Sequence, residues 1–529
     1  MSYDSLLYVL LFLPICLAVY QLAPKGWRRR VLLAAGYVFF YLFSGTLLVY
    51  LLGTTLLVHC IGIWLEWLKS EEKAAAAAVP GSGKKAVKAE YQKQSRRVLF
   101  LGTAILLGVL AYLKYYNFFV QNVSGILEVF HFPFSPEEKS LIMPIGISFY
   151  TLQAVSYMAD VYWGKIKAER SLEKTALFLA FFPQIMEGPI SRYSDVADTL
   201  FAEKPLEVQN LQNGYIRILW GFFKKKIVAD RLAIAVGMVF DHYTSYSGAV
   251  VAVSAVAYTV QLYMEFSGCM DIIIGSGELF GVRLPENFRQ PFCARNAAEF
   301  WRRWHITLGV WFKTYIFYPV SMSGIVKKWN QYGRKHLGKY ITMLGTSAMA
   351  LLPVWICNGL WHGARWSYIF YGLYYFTLIL LGIAVQPVRD RVLSICHIRE
   401  DSRGWRRVQI TKTWVIIFVG ELFFRADGFR AGLHMFRSIF EDFQIRQLWD
   451  GTLLELGLQQ SDIAVVVAGC IVAAAVGMIK ERGICVRERL AGCRLPVRWC
   501  AYYALILAVI IFAAYGDGYQ KVDLIYAGF

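Results

Sequence analysis

Long apolar stretches alternate with short polar ones along the whole chain, and their length sets the first expectation. Runs at 6–22, 31–67, 98–119, 250–274, 340–356, 369–385 and 502–514 are apolar nearly throughout. A helix needs about 20 such residues to cross a hydrocarbon core. Weaker runs at 175–185, 216–238, 414–424 and 463–478 bring the expected number of transmembrane or re-entrant helices to roughly a dozen. The pattern predicts an all-α, polytopic integral membrane protein.

Basic residues Lys25, Arg28, Arg29 and Arg30 follow the first run. No positive segment precedes that run and no small-residue cleavage site follows it, so it reads as a retained helix. The positive-inside rule then places the N-terminus outside. The longest polar stretch, 69–97, is rich in Ala and Lys and is expected to be a cytoplasmic loop. Residues 1–140 thus read as N-terminal spans carrying a basic loop, 141–426 as a core whose spans are broken by polar clusters and 427–529 as C-terminal spans.

Composition agrees with this reading. Hydrophobic residues make up 57% of the 529 and charged residues only 17%, below the ~25% of soluble proteins. The net charge of +18 suits loops facing anionic lipid. Nucleic-acid binding is not expected, because the basic residues are scattered between spans. The ten cysteines show no CxxC pair, and no metal site or disulfide framework is expected.

Polar residues interrupt the spans in five clusters, and ionisable groups at membrane depth need a partner or a task. In "MPIGISFYTLQAVSYMADVYWGK" (143–165), Gln153, Tyr157 and Asp160 fall on one helical face. Interhelical hydrogen bonding explains that stripe as well as a cavity wall does. "FFPQIMEGPISRY" (181–193) holds two prolines and a glycine. It predicts broken backbone, which is tolerated at membrane depth where protein or a cavity surrounds it. Its Glu187 reads equally as a helix-end charge or a lining group. "MEFSGCMDIIIGSGELFGVRLPENFRQPF" (264–292) carries Asp271 in an apolar helix, followed by Arg283, Glu286 and Arg289 close together in sequence. "AAEFWRRWHITLGVWFKTYIFYPV" (297–320) is expected to set Trp301, Trp304 and His305 on one helical face, with Arg302 and Arg303 elsewhere. An interfacial anchor explains the tryptophans and arginines better than it explains the histidine.

The fifth cluster is "NGLWHGARW" (358–366), where Asn358 and His362 are four apart, as are Gly359 and Gly363. Small residues at that spacing permit close approach of a helix or a ligand. A histidine titrates near operating pH, which suits a general base or a proton relay. No P-loop, dinucleotide fingerprint, HExxH or GxSxG is present. The residues alone leave an intramembrane enzyme and a transporter or flippase both open.

In order along the chain, "MPIGISFYTLQAVSYMADVYWGK", "FFPQIMEGPISR", "FSGCMDIIIGSGELFGVRLPENFRQPF", "FWRRWHITLGVWF", "LWHGARWSYIFYGLYY" and "ELFFRADGF" closely resemble the bacterial membrane-bound O-acyltransferase family. The nearest branch is that of alginate and other polysaccharide O-acetylation membrane subunits, with the D-alanyl transferases of teichoic acids as cousins. "LIYAGF" (524–529) resembles a variant of that branch's aromatic tail. The resemblance implies tilted helices around a central funnel or tunnel, with His362 as the catalytic histidine and His305 as its companion. It further implies that Asn358 orients that histidine or lines the tunnel with Trp301, Trp304, Trp361, Asp271, Gln153 and Tyr157, and that Arg302 and Arg303 meet donor phosphates or, equally, lipid phosphates. The expected donor is acetyl-CoA or an acyl or aminoacyl carrier protein, without a metal. The expected partners are membrane lipid, an exported polysaccharide and an extracytoplasmic transferase-like protein. "WFKTY" (311–315) departs from the branch's common WFRDY, which weakens the case for alginate itself as acceptor.

Overall fold

The computed structural model describes residues 2–132 and 136–514. The tail resemblance at 524–529 therefore lies outside the described residues. Among those residues the chain is helical, with no strand. Seven helical stretches are long and apolar enough to cross a membrane: Arg28–Ala78, Lys84–Val129, Gly248–Leu279, Gly338–His362, Trp366–Ala384, Gln460–Glu481 and Leu495–Phe512. The first of these is broken by a 3-10 turn, Gly45–Leu47, into Arg28–Ser44 and Leu48–Ala78. Helices carry most of the apolar runs read from the sequence, but the run at 175–185 is helical only as far as Ala180.

The polar stretch 69–97 differs from expectation. It is not a loop: Leu48–Ala78 and Lys84–Val129 extend through it and leave only 79–83 as a turn. Ala, Glu and Lys are strong helix formers, so a polar stretch built from them continues a helix into water.

By contacts the chain divides into two compact units, 1–215 with 273–285, and 216–272 with 286–529. In the first, the Ile147–Trp163 helix is buried on all sides over 149–161, its polar residues included. Its polar residues have local tasks. The Tyr157 hydroxyl accepts from the Glu169 N–H at 2.7 Å, and Asp160 pairs with Lys165 at 3.2 Å. Ser156 donates to the Gln153 carbonyl at 2.7 Å, with the Gln153 side chain buried. The proline-broken segment after Ala180 is irregular and wholly buried up to Ser191, Glu187 included. Its backbone is held from outside by Tyr3, which donates its hydroxyl to the Phe182 carbonyl at 2.7 Å, and within the segment Ser191 donates to Gln184 Oε1 at 2.9 Å.

The second unit contains the last two sequence clusters. Gly338–His362 and Trp366–Ala384 form an antiparallel hairpin joined by three residues. A Cβ at Gly359 would collide with the Tyr368 carbonyl oxygen, and one at Gly372 with the Trp355 carbonyl oxygen. Arg403–Arg425 packs alongside, its Gly420 against the Tyr375 ring. Elsewhere in this unit a π-helix, Phe223–Ala229, anchors an apolar core with Leu232, Met264 and Val466.

Candidate active site

His362 is the last residue of its helix, and Gly363 ends the helix in extended backbone. The close approach allowed by Gly359 is therefore used by the neighbouring helix. Packed this tightly, the hairpin holds the imidazole inside a box of rings. Trp361 lies 5.0 Å away between centroids, Phe424 5.0 Å at 89°, Tyr371 6.1 Å at 85° and Tyr368 6.4 Å. His362 is 4% exposed and Asn358, one turn earlier, 5%. The Asn358 Oδ1 has no hydrogen-bond partner among the described residues.

His305 reaches the same place by a different route from the one its spacing suggested. The helix beginning at Ala297 stops at Arg303, Trp304 is extended, and His305 takes a left-handed conformation at φ +45° before Ile306–Phe312 begins. Trp301, Trp304 and His305 thus do not share one continuous helical face. The cause is Asn287, 18 residues upstream and fully buried. Its backbone carbonyl accepts from the Ile306 N–H at 3.0 Å, while the Arg289 N–H donates to the Arg303 carbonyl at 2.9 Å. Its side-chain Oδ1 accepts from the Thr307 N–H at 3.1 Å and the Thr307 hydroxyl at 3.0 Å, and lies 3.2 Å from His305 Nδ1. The Thr307 N–H identifies that atom as the oxygen, so His305 Nδ1 carries the proton and Nε2 keeps its lone pair.

The two histidines pack against one indole. His305 and Trp361 are 5.4 Å apart at 68°, with His362 on Trp361 at 5.0 Å. Phe266 closes on His305 edge-to-face at 4.9 Å. Trp304 stands among Phe288, Phe300 and Tyr263. Trp301 lies against Trp355, Tyr371 and Tyr375. The structure thus gathers His305, His362, Asn358, Trp301, Trp304 and Trp361 into one aromatic region of one unit.

The other expected residues are placed differently. Arg303 is bound to Glu299 at 2.8 Å and Glu481 at 2.7 Å, whereas Arg302 is exposed. Burial would raise the Glu299 carboxyl, but the Arg295 N–H and the Arg303 guanidinium hold it below the usual carboxylate range. Asp271 is gripped by Lys224 at 2.6 Å and Arg217 at 3.0 Å. Glu286 pairs with Arg217 at 2.6 Å, a partner its loop spacing did not suggest. Gln153 and Tyr157 belong to the first unit.

Sequence reasoning overlooked Asn287, Tyr371, Phe424 and Glu421. Glu421 is 1% exposed, and its Oε1 accepts from the Tyr371 hydroxyl at 2.8 Å. Its signal was available, since it is the one acidic residue in the apolar run 414–424. Nothing local marked Asn287.

The family model described as MBOAT, membrane-bound O-acyltransferase family, matches residues 169–392, which include both histidines. The "probable alginate O-acetylase" of Pseudomonas putida is 32% identical over 464 residues, covering 85% of this chain and 82% of that protein. The "peptidoglycan O-acetyltransferase" of Helicobacter pylori is 31% identical over 376 residues, covering 64% of each. The "teichoic acid D-alanyltransferase" of Bacillus subtilis is 30% identical over 244 residues, 45% of this chain and 59% of that protein.

Proposed function

Because the chain belongs to the membrane-bound O-acyltransferase family, and so is an acyltransferase built as a multi-pass membrane protein, we propose that it transfers acetyl from acetyl-CoA to hydroxyls of an exported cell-surface polysaccharide. Transfer is direct or runs through an extracytoplasmic partner protein. The observation carrying this reading is the pair of buried histidines that both pack against Trp361. D-alanyl transfer from a carrier protein is the weaker alternative, since the D-alanyl relative matches less than half of this chain.

A thioester is already activated, so the site has two tasks: to place a hydroxyl against its carbonyl and to handle one proton. His362 takes the proton as the hydroxyl oxygen attacks, the C–S bond breaks, and the proton passes to the departing thiolate. General-base assistance of this kind contributes about 10²–10⁴-fold, and holding both reactants adds to it. Asn358 orients the base or the incoming hydroxyl with its available Oδ1. His305, fixed with Nε2 as an acceptor, completes the acceptor-side or donor-side lining, and Trp301, Trp304 and Trp361 wall the pantetheine arm. Arg302 is better placed than Arg303 to meet donor phosphates, because Arg303 already holds two carboxylates.

The test is reconstitution in liposomes with radiolabelled acetyl-CoA. Covalent label on a hydroxyl acceptor, lost in His362→Ala and not supplied by an aminoacyl carrier, is the expected outcome. Movement of substrate across the bilayer with no covalent transfer would overturn the proposal in favour of a transporter.

A further inference from the structure

Glu421 has no part in the chemistry above, yet it is among the costliest residues in the second unit. It is 1% exposed, one carboxyl oxygen accepts from the Tyr371 hydroxyl at 2.8 Å, and the other has no hydrogen-bond partner among the described residues. A buried carboxyl satisfied on one side only is destabilising relative to an apolar residue of similar volume. Packing alone would favour leucine at this position.

What the carboxyl holds is a ring of the His362 box. Tyr371 sits 6.1 Å from His362 at 85° and 6.1 Å from Trp301 at 79°. Phe424 follows Glu421 by three residues on the Arg403–Arg425 helix and closes on His362 at 5.0 Å and on Tyr371 at 5.0 Å. The hydrogen bond ties the Trp366–Ala384 helix, which carries Tyr371, to the helix that carries Phe424. The same two helices are also joined by the Tyr374 hydroxyl, which donates to the Ile416 carbonyl at 2.9 Å, but the Tyr371 bond is the one that falls on a ring against His362.

We propose that Glu421 is a positioning residue of the acyl-transfer site, acting through the Tyr371 hydroxyl to hold the His362 ring at its working angle. This rests on His362 being the base. Loss of the bond should therefore lower turnover and leave donor binding intact, since misplacing a reacting group by about 1 Å costs up to ~10²-fold.

The experiment compares wild type, His362→Ala, Glu421→Gln and the double variant Tyr371→Phe with Glu421→Leu, measuring transfer kinetics and thermal unfolding in detergent. The glutamine keeps an acceptor for the tyrosine hydroxyl and is expected to stay within a few-fold of wild-type kcat. The double variant removes both polar partners at once, which is close to neutral or stabilising. Its melting temperature should hold or rise while kcat falls by about 10- to 100-fold with KM for the donor unchanged. The proposal is overturned if the double variant keeps wild-type kcat, if its loss of activity tracks a fall in melting temperature, or if Glu421→Gln loses as much. Full transfer by His362→Ala would instead remove the underlying reading of the base.

Discussion

His362 and His305 are both buried beside Trp361, but they are held by unlike means, and substitutions should expose the difference. His362 is surrounded by rings, so His362→Ala removes the proposed proton acceptor from a site whose walls remain. Transfer should drop by about 10²–10⁴-fold, with thermal unfolding close to wild type; near-normal transfer in a folded variant would exclude it as the base. His305 depends on Asn287, whose one oxygen serves the Thr307 N–H, the Thr307 hydroxyl and His305 Nδ1. Asn287→Leu strands buried donors at about 1–3 kcal/mol and frees the left-handed turn. It should lower both melting temperature and transfer rate, and a variant that loses neither would show that the turn stands without Asn287.

At the scale of elements, the Gly359 and Gly372 contacts set how closely the hairpin helices approach, and hence where His362 ends up. The obstructing atoms are backbone carbonyls, which cannot rotate away. Gly359→Ala should therefore destabilise by about 1–3 kcal/mol and reduce transfer. Gly382→Ala on the Trp366–Ala384 helix, where nothing lies within 4 Å, should leave transfer intact and slightly favour the helix. Equal behaviour of the two in thermal unfolding and activity assays would show that close approach is not what Gly359 supplies. These elements also show what could be read in advance. Apolar runs and the four-residue spacing of Asn358 and His362 are local signals, and both survive into the structure. The break at Trp304–His305 was not legible because its cause lies 18 residues away. Periodicity assumes each helix is decided by its own residues. The polar stretch 69–97 was misread for the opposite reason: polarity suggested a loop while Ala, Glu and Lys favoured helix.

At the scale of the whole molecule, orientation decides which reactant meets which mouth of the site. The turn at 79–83 is the tip of a helical hairpin whose flanks carry Lys69, Lys73, Lys84, Lys85, Lys88, Lys93, Arg96 and Arg97 against Glu71, Glu72 and Glu90. Basic residues near span ends are retained on the cytoplasmic side. The turn should accordingly face the cytoplasm, where a CoA thioester would be supplied. Ser82 is exposed in that turn, so Ser82→Cys offers a direct reading. Measured against the parent chain's own cysteines, the added thiol should resist a membrane-impermeant maleimide in intact cells and react once the membrane is opened. Labelling in intact cells would place the hairpin outside, reverse every span that follows, and require the donor to enter from the other face.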